Sequence, residues 1–521
     1  MAIIKKKYDA DAVQMPVPEH NRFMRVLELP HNLMGGTKAM RAMGNVYLPK
    51  EEAEESDAFN SRLARSFLLN AFRRTVQKLA GEVFSKAIDI PEKLPEDIRG
   101  WLKDVDLSEN DITEFSKQMF QDGIIDGIVH VLIDLPEIET KLDDNGKVVF
   151  LDVAEGETEG VWRMLTLETM KAKGWRPYWI QITAKNLIGW RWEKINGEKV
   201  LSQIRVAEIT EEADGKYGVK EVERIRVINK DTWEVWIFKE NEKHQKEWIL
   251  ETQGTHNRGY IPLVSWIIGE SMSEMTATPP LSDLADLNLA HWQSASDQRN
   301  ILHYARMITY FGKLLGIEPG AKNQNQKAIM GANVLIHATD ESADLKVVEH
   351  SGKAIEAGRN DLKDLEVQMS KYGLGLIMGT KSGTQTATEK AIDTAESDST
   401  LKSWAISYQF FMNRCIAMSA KMAGIEDELE QVKVNTDFKS FLRSMEITAL
   451  CEAFVDGLLP RELVIEELQR RGVIKEDIDF VDIMKMLNAE AEEQAKKFMP
   501  VYNRNVLGDG DSGDGNTSAT E

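Results

Sequence analysis

The sequence predicts an α+β fold rich in helix, and three observations carry that reading. Residues 281–304 follow Pro279-Pro280 and contain neither glycine nor proline, so they can run as a helix of roughly 36 Å. Nine of the 12 tryptophans fall between Trp162 and Trp266, where apolar alternation and Asn-Gly turns mark a β-rich module. Helical spacing then dominates from Thr386 onward, with Gly457, Pro460 and Gly472 separating successive helices.

In chain order, residues 1–55 are broken by Pro16, Pro18, Pro30 and Gly35-Gly36 and read as an extended arm. From Ser56 to about Ser85 one helix is predicted, with Leu68, Phe72, Val76, Leu79 and Val83 on one face. A further helix is expected over Leu107 to Asp126. The period then becomes strand-like, with hairpin turns at Asn145-Gly146 and Asn196-Gly197 and alternation in Ile225/Val227 and Trp233/Val235/Ile237. The aromatic residues of these strands are read as cross-strand packing rather than as ligand platforms.

The helix beginning near Ser282, which can cap it, has a thin apolar stripe of Leu284, Leu287, His291, Ala295, Gln298 and Leu302. Asn288, Gln293, Ser294, Ser296 and Asp297 surround it with polar atoms. Such a helix either bridges solvent or packs on polar neighbours, copies of itself included. Beyond it, the segment Glu349 to Arg359 leads into a helix over Asn360 to Tyr372. A glycine-punctuated segment, Gly373 to Gly383, precedes a long helix over Thr386 to Ala423, and residues 501–521 form an acidic, glycine-rich tail expected to be disordered.

The formal net charge is −21, which argues against a binder that holds nucleic acid by neutralising phosphates, while leaving room for a surface that nucleic acid passes without adhering. Two cysteines, Cys415 and Cys451, are too few for a disulfide framework or a zinc site, and fit a reducing compartment. No apolar run suits a signal peptide or a membrane span, so neither secretion nor membrane insertion is expected. Gly379-Thr380-Lys381-Ser382 imitates the end of a phosphate-binding loop. Thr380 separates glycine from lysine, however, and a helix rather than a strand precedes it. His291 and His303 read as structural, and no nucleophile elbow or metal-ligand pair occurs. No cofactor, metal or catalytic residue is therefore assigned.

Several segments, taken in order, resemble a portal protein of tailed bacteriophages, in a portal family once described only as of unknown function. They are Asn32-Leu-Met-Gly-Gly-Thr-Lys-Ala-Met-Arg, Asn70-Ala-Phe-Arg-Arg-Thr-Val-Gln-Lys-Leu-Ala-Gly-Glu-Val-Phe and Arg176-Pro-Tyr-Trp-Ile-Gln-Ile-Thr-Ala-Lys-Asn-Leu-Ile-Gly-Trp-Arg. The Pro279 to Tyr304 run, Thr386-Ala-Thr-Glu-Lys and Asp456-Gly-Leu-Leu-Pro-Arg-Glu follow. The resemblance implies a portal fold of wing, stem, clip and crown, with about 12 copies closing a ring around a channel. By it, 56–175 is wing, 176–278 contains the clip and part of the wing, and 279–304 is the stem helix following the clip. Residues 305–424 are wing, with a tunnel loop at about 349–358 and a long helix at about 386–423, and 425–500 form a helical crown.

The implied function is a non-enzymatic head-tail connector in the virion, at one capsid vertex, conducting double-stranded DNA during genome packaging and ejection. The implied partners are further copies of the chain, the DNA, terminase, connector or neck proteins, and major capsid and scaffolding proteins; the host cytoplasm is the place of assembly, and no membrane is involved. Lys353 and Arg359 are candidate DNA-channel contacts, or else ordinary solvated or subunit-paired charges. Asn288, His291, Ser294, Asp297 and Gln298 are candidate contacts between neighbouring stems. Twelve copies would carry roughly −250 charges, which suits a lumen that DNA slides through. The alternatives are a nucleotide-using or nuclease component of packaging machinery centred on Lys381, and a cytosolic multidomain adaptor.

Overall fold

The computed structural model describes residues 12–136, 140–144, 147–152, 160–164, 166–240, 246–256, 258–306, 309–313, 344–348, 352–374, 387–425, 427–436, 438, 452–455, 457, 459–470, 485, 486 and 489. The chain divides into two units, residues 1–440 and 441–521. Most of the first unit is a helix-rich α+β fold.

Pro18 stands at the first helical position, where its missing N–H costs nothing, and the chain continues as α1, Pro18–Ala42. The arm expected over 1–55 is thus helical across these residues. Phe23, Leu27, Pro30, Leu33 and Met40 are buried along it, and Gly36, non-helical at φ 76°, places the kink. The single helix expected over 56–85 is two, α2 (Ser56–Arg65) and α3 (Ala71–Val83). Ser66 leaves helical geometry, and Asn70 caps α3 by accepting from the Arg73 N–H at 2.9 Å. A short α4 (Glu96–Trp101) precedes α5 (Ile112–Asp126). Helix α5 begins later than the expected residue 107 because Asp111 caps it, accepting from the Thr113 and Glu114 amides at 2.7 and 2.8 Å.

Strand β1 (Ile128–Asp134) is the centre of a three-stranded antiparallel sheet whose other members come later in the chain. Strands β2 (Thr140–Leu142), β3 (Val148–Asp152) and β4 (Val161–Met164) form a small sheet, followed by α6 (Leu167–Ala172). Strand β5 (Tyr178–Ile182) pairs with β1. A five-stranded antiparallel meander follows: β6 (Leu187–Ile195), β7 (Glu198–Asp214), β8 (Gly218–Asn229), β9 (Thr232–Glu240) and β10 (Lys246–Thr255). Asn196 and Gly197 turn β6 into β7 with φ of 52° and 87°, the positive angles that Asn-Gly accepts. The other expected Asn-Gly turn, Asn145-Gly146, lies outside the described residues. Strand β11 (Leu263–Ile267) pairs with β1 from the other side, and β12 (Glu270–Ser273) with β13 (Thr276–Thr278) makes a hairpin.

Then come α7 (Ser282–Ala305), β14 (Thr309–Lys313), β15 (Asp344–Val348), α8 (Lys353–Met369) and α9 (Ala387–Met422). Strands β14 and β15 pair antiparallel. The loop expected at about 349–358 is helical from Lys353 onward; its residues 349–351 lie outside the described residues, as does Lys381.

The main core joins α3, α5, the β1 sheet, the first half of α7 and the second half of α9. At its centre the Trp266 ring stacks on Phe120 at 5.1 Å and meets Tyr408 edge-on at 4.9 Å. Gly123 is required there, since a Cβ would come within 2.3 Å of the Trp266 ring. Trp179 and Trp266 therefore serve the helical core, each donating its indole N–H to a serine of α9, Ser419 at 2.9 Å and Ser407 at 3.1 Å.

In the second unit, Gly457 at φ 74° and Pro460 precede α10 (Arg461–Arg470), which buries Val464 and Ile465. The helix expected over 480–498 falls almost wholly outside the described residues, and the 501–521 tail does so entirely.

Candidate functional site

Helix α7 starts without the side-chain cap expected of Ser282. Leu281 holds the cap position, and the Ser282 N–H turns back to the Pro279 carbonyl at 3.2 Å. Two residues on, α7 enters the core with Leu284, Ala285, Asn288 and Trp292 buried. Asn288 commits both ends of its amide to the first turn of α3 and the residues just before it. Its Oδ1 accepts from the Phe72 N–H at 3.0 Å and its Nδ2 donates to the Leu69 carbonyl at 2.9 Å. The Phe72 N–H belongs to the first turn of α3, whose amides have no helical acceptor, so α7 caps α3 from across the fold.

The next two turns of α7 meet α2 through charge. Arg62, 5% exposed, donates to both oxygens of Glu54 at 2.9 and 2.7 Å, to the Pro49 carbonyl at 2.8 Å and to Asp297 Oδ1 at 3.3 Å. Its hydrogen bonds hold the Glu54 carboxyl below the usual carboxylate range, while burial pushes Asp297 up against the pull of Arg62. The Ser66 and Ser296 hydroxyls meet at 2.9 Å, Gln293 donates to the Tyr47 carbonyl at 3.0 Å and Arg65 to Asn300 at 3.1 Å.

The opposite side of α7 receives α8. Gln298 donates to the Ile355 carbonyl at 2.9 Å, Ser294 to Asp361 at 2.5 Å, and His291 Nε2 stands 3.6 Å from Glu366. Partners rise in number along α8 as they fall along α7, so the two helices run antiparallel as a hairpin. Burial lowers the His291 pKa, and Glu366 opposes that. Gly358 lets the helices approach: a Cβ there would sit 2.2 Å from Gln298 Oε1. Gly373, beyond α8, is pressed between Leu284 and Thr75 in the same way.

All five residues expected at stem contacts thus have neighbours in their own chain: Asn288, His291 and Gln298 are buried, Ser294 bonds to α8, and Asp297 reaches Arg62. Lys353 and Arg359 are both exposed on α8, and neither has an ion pair among the described residues. Six residues apart, they point about 120° away from each other around the helix, so they do not form one patch. Arg62, Glu54, Gly358 and Glu366 carry as much of the site as the expected residues do. The signal for them was weak: an arginine near an acidic run, and one glycine just ahead of the helix expected over 360–372.

Among the described residues no group of three His, Cys, Asp or Glu side chains could hold a metal ion. The buried Cys415 thiol is pushed up strongly by desolvation, and His130, fully enclosed, is lowered to about 4, so neither is poised as a nucleophile or base at neutral pH. No described helix is long and apolar enough to cross a membrane.

A family model described as "Domain of unknown function (DUF4055)" matches residues 280–423, the stretch from the start of α7 to the end of α9. No curated protein matches the chain. Among solved structures, a chain in the neck of an empty GTA particle is 9% identical with a TM-score of 0.39, covering 84% of this chain and 98% of that one. A chain in the virion of a native gene transfer agent particle is 10% identical with a TM-score of 0.37, covering 83% and 98%.

Proposed function

We propose that this chain is a non-enzymatic, portal-like subunit whose copies close a ring around a channel for double-stranded DNA. The observation that carries the reading is the α7–α8 hairpin. Of the 17 residues of α8, only Met369 is buried, and α7 is the helix it packs against. A helix so little covered by its own chain gains most from neighbours of the same kind standing beside it.

In this reading the stem is the antiparallel pair α7 and α8 rather than α7 alone. The β14–β15 ladder at the end of that pair takes the place of the clip. The sheets and helices of residues 56–278 belong to the wing, α9 is the long wing helix, and residues 441–500 are the crown. Lys353 and Arg359 then lie on stem surface, where they meet DNA or an acidic neighbour. Twelve copies, docking of terminase and then of neck proteins, and a place at one capsid vertex complete the proposal. It rests on the ordered segments of sequence that resemble portals and on the absence of assigned chemistry in so long a chain.

Electron micrographs of the purified protein test it. Rings with a central hole are the expected result; particles that stay uniformly monomeric at high concentration would overturn it.

A further inference from the structure

Beyond Glu208 and Arg224 the β7–β8 hairpin leaves its sheet, since β6 pairs with β7 only as far as Val206 and β9 pairs with β8 only over Arg224 to Ile228. The two-stranded ribbon that remains is covered on one face, where Val222 is buried and Glu212 meets Lys239 at 2.7 Å and Lys220 at 3.4 Å. The other face is bare. There the register pairs Ile209 with Glu223, Glu211 with Glu221 and Ala213 with Val219, and all of them are exposed, Ile209 by 68% and Val219 by 63%. None of the three glutamates has an ion pair among the described residues, and Glu211 and Glu221 stand directly opposite each other, where like charges repel.

Helix α9 carries the opposite charge. Residues 401–422 include Lys402, Arg414 and Lys421 and no acid, in a chain of net charge −21. Its inner side enters the main core through Tyr408, Met412 and Cys415. On its outer side Ser403, Ile406, Phe410, Arg414, Ala417 and Lys421 are exposed, Phe410 by 55%. At about 100° per residue these six lie within about 40° of one line, a stripe about 27 Å long. Lys421 lies over the Tyr260 ring at 4.1 Å, and Arg414 has no ion pair among the described residues. The two surfaces match in spacing as well as in sign. Along the ribbon, Val219, Glu221 and Glu223 follow one another at about 7 Å. Along α9, Arg414 stands about 6 Å beyond Phe410, and Lys421 about 10 Å beyond Arg414.

We propose that the β7–β8 ribbon of one copy docks on the outer stripe of α9 of the next copy. Val219 covers Ile406 and Phe410, Glu211 and Glu221 meet Arg414, and Glu223 reaches Lys421 while Ile209 covers Ala417. Each surface is exposed in the chain that carries it, so the two meet only between chains. Because the halves differ, every copy still offers one of each to a further neighbour, the head-to-tail geometry that closes into rings. Both the apolar and the charged parts of the match are needed, since exposed ion pairs alone hold a contact weakly. The proposal rests on the ring reading and names a contact that holds the ring.

Charge exchange in the full-length protein, followed by mass photometry, tests it. The R414E and E211K/E221K variants, each with unchanged circular dichroism, should need at least about tenfold more protein than wild type to form rings. E211K/E221K is the sharper of the two, because it lowers the net negative charge and would favour association if overall repulsion were all that mattered. An equimolar mixture of the two variants should recover rings, since alternating copies restore an opposite-charge contact at every interface, and so should R414E/E211K/E221K in one chain. Variants that assemble like wild type, or a mixture that fails to recover, would overturn this contact and leave the ring reading standing. Wild-type protein that stays uniformly monomeric would overturn the ring reading, and this contact with it.

Discussion

Asn288 shows how a polar residue inside a helix can be structural. Its replacement by Ala leaves the Phe72 N–H and Leu69 carbonyl buried without partners, a loss of about 2–4 kcal/mol of unfolding free energy, read from the urea midpoint. Leucine at the same place should cost at least as much, since its volume does nothing for those two groups. Titration matters at another residue pair. His31 Nε2 lies 2.6 Å from Asp126, which raises the imidazole pKa, and Asp122 beside them is pushed up to about 6 by burial, against the hydrogen bond from Gln181. The raised histidine contributes stability that is complete below its unfolded value near 6.5 and is lost as pH rises through its folded value. The raised carboxyl is protonated more readily in the fold, so it too binds protons preferentially in the native state, between its ordinary 3.8 and about 6. Both have the same sign, and below about pH 6.5 they are opposed by His130 and His256, which burial lowers to about 4. Measured as Tm against pH, the difference between wild type and Asp122→Asn should fall between about pH 4 and 6, and that between wild type and His31→Ala should fall above about pH 6.5; either difference rising with pH would contradict the assignment.

At the scale of elements, two glycines fix how close helices come. Gly358→Ala places a methyl group against Gln298 and should part α8 from α7, seen as faster hydrogen exchange along α8 with little change elsewhere. Gly123→Ala meets the Trp266 ring in the main core and should cost about 1–3 kcal/mol globally. These contacts also explain what was legible in the sequence. Helices α7 and α9 and the β6–β7 turn followed from local rules, namely a run without breakers and an Asn-Gly pair. The helix over 18–42 did not, because Pro18 and Pro30 look like breakers in isolation and its apolar positions at 23, 27, 30 and 33 include one of those prolines. The break at 66–70 was hidden for a different reason. Its partners are the side chains of Asn288, on the Leu69 carbonyl, and Ser296, on the Ser66 hydroxyl, far along the chain, and no window around Ser66 contains them. The same limit applied to the site: Asn288 and Gln298 were recognisable as out of place on an apolar stripe, but their partners on the α2–α3 segment and α8 were not.

For the whole molecule, charge is the dominant property. At −21 per chain, copies repel one another, so under the proposed ring assembly the population of rings should grow as salt is raised from about 0.02 to 0.3 M, where the Debye length shrinks to about 6 Å. Mass photometry across that range checks it, and a fall in ring population would point to assembly held mainly by exposed ion pairs. The amide of Asn288 has a further consequence, for the order in which the protein takes shape on the ribosome. Its partners at Phe72 and Leu69 precede it by 216 and 219 residues. At about 5–20 residues per second, α3 waits on the order of ten to forty seconds after its own synthesis for the residue that caps it. Until then the five-stranded meander, whose strand pairing is all between successive strands and whose packing partners precede α7, has what it needs to form. The helical layer is therefore the part of the nascent chain that most needs protection from its neighbours on the same messenger.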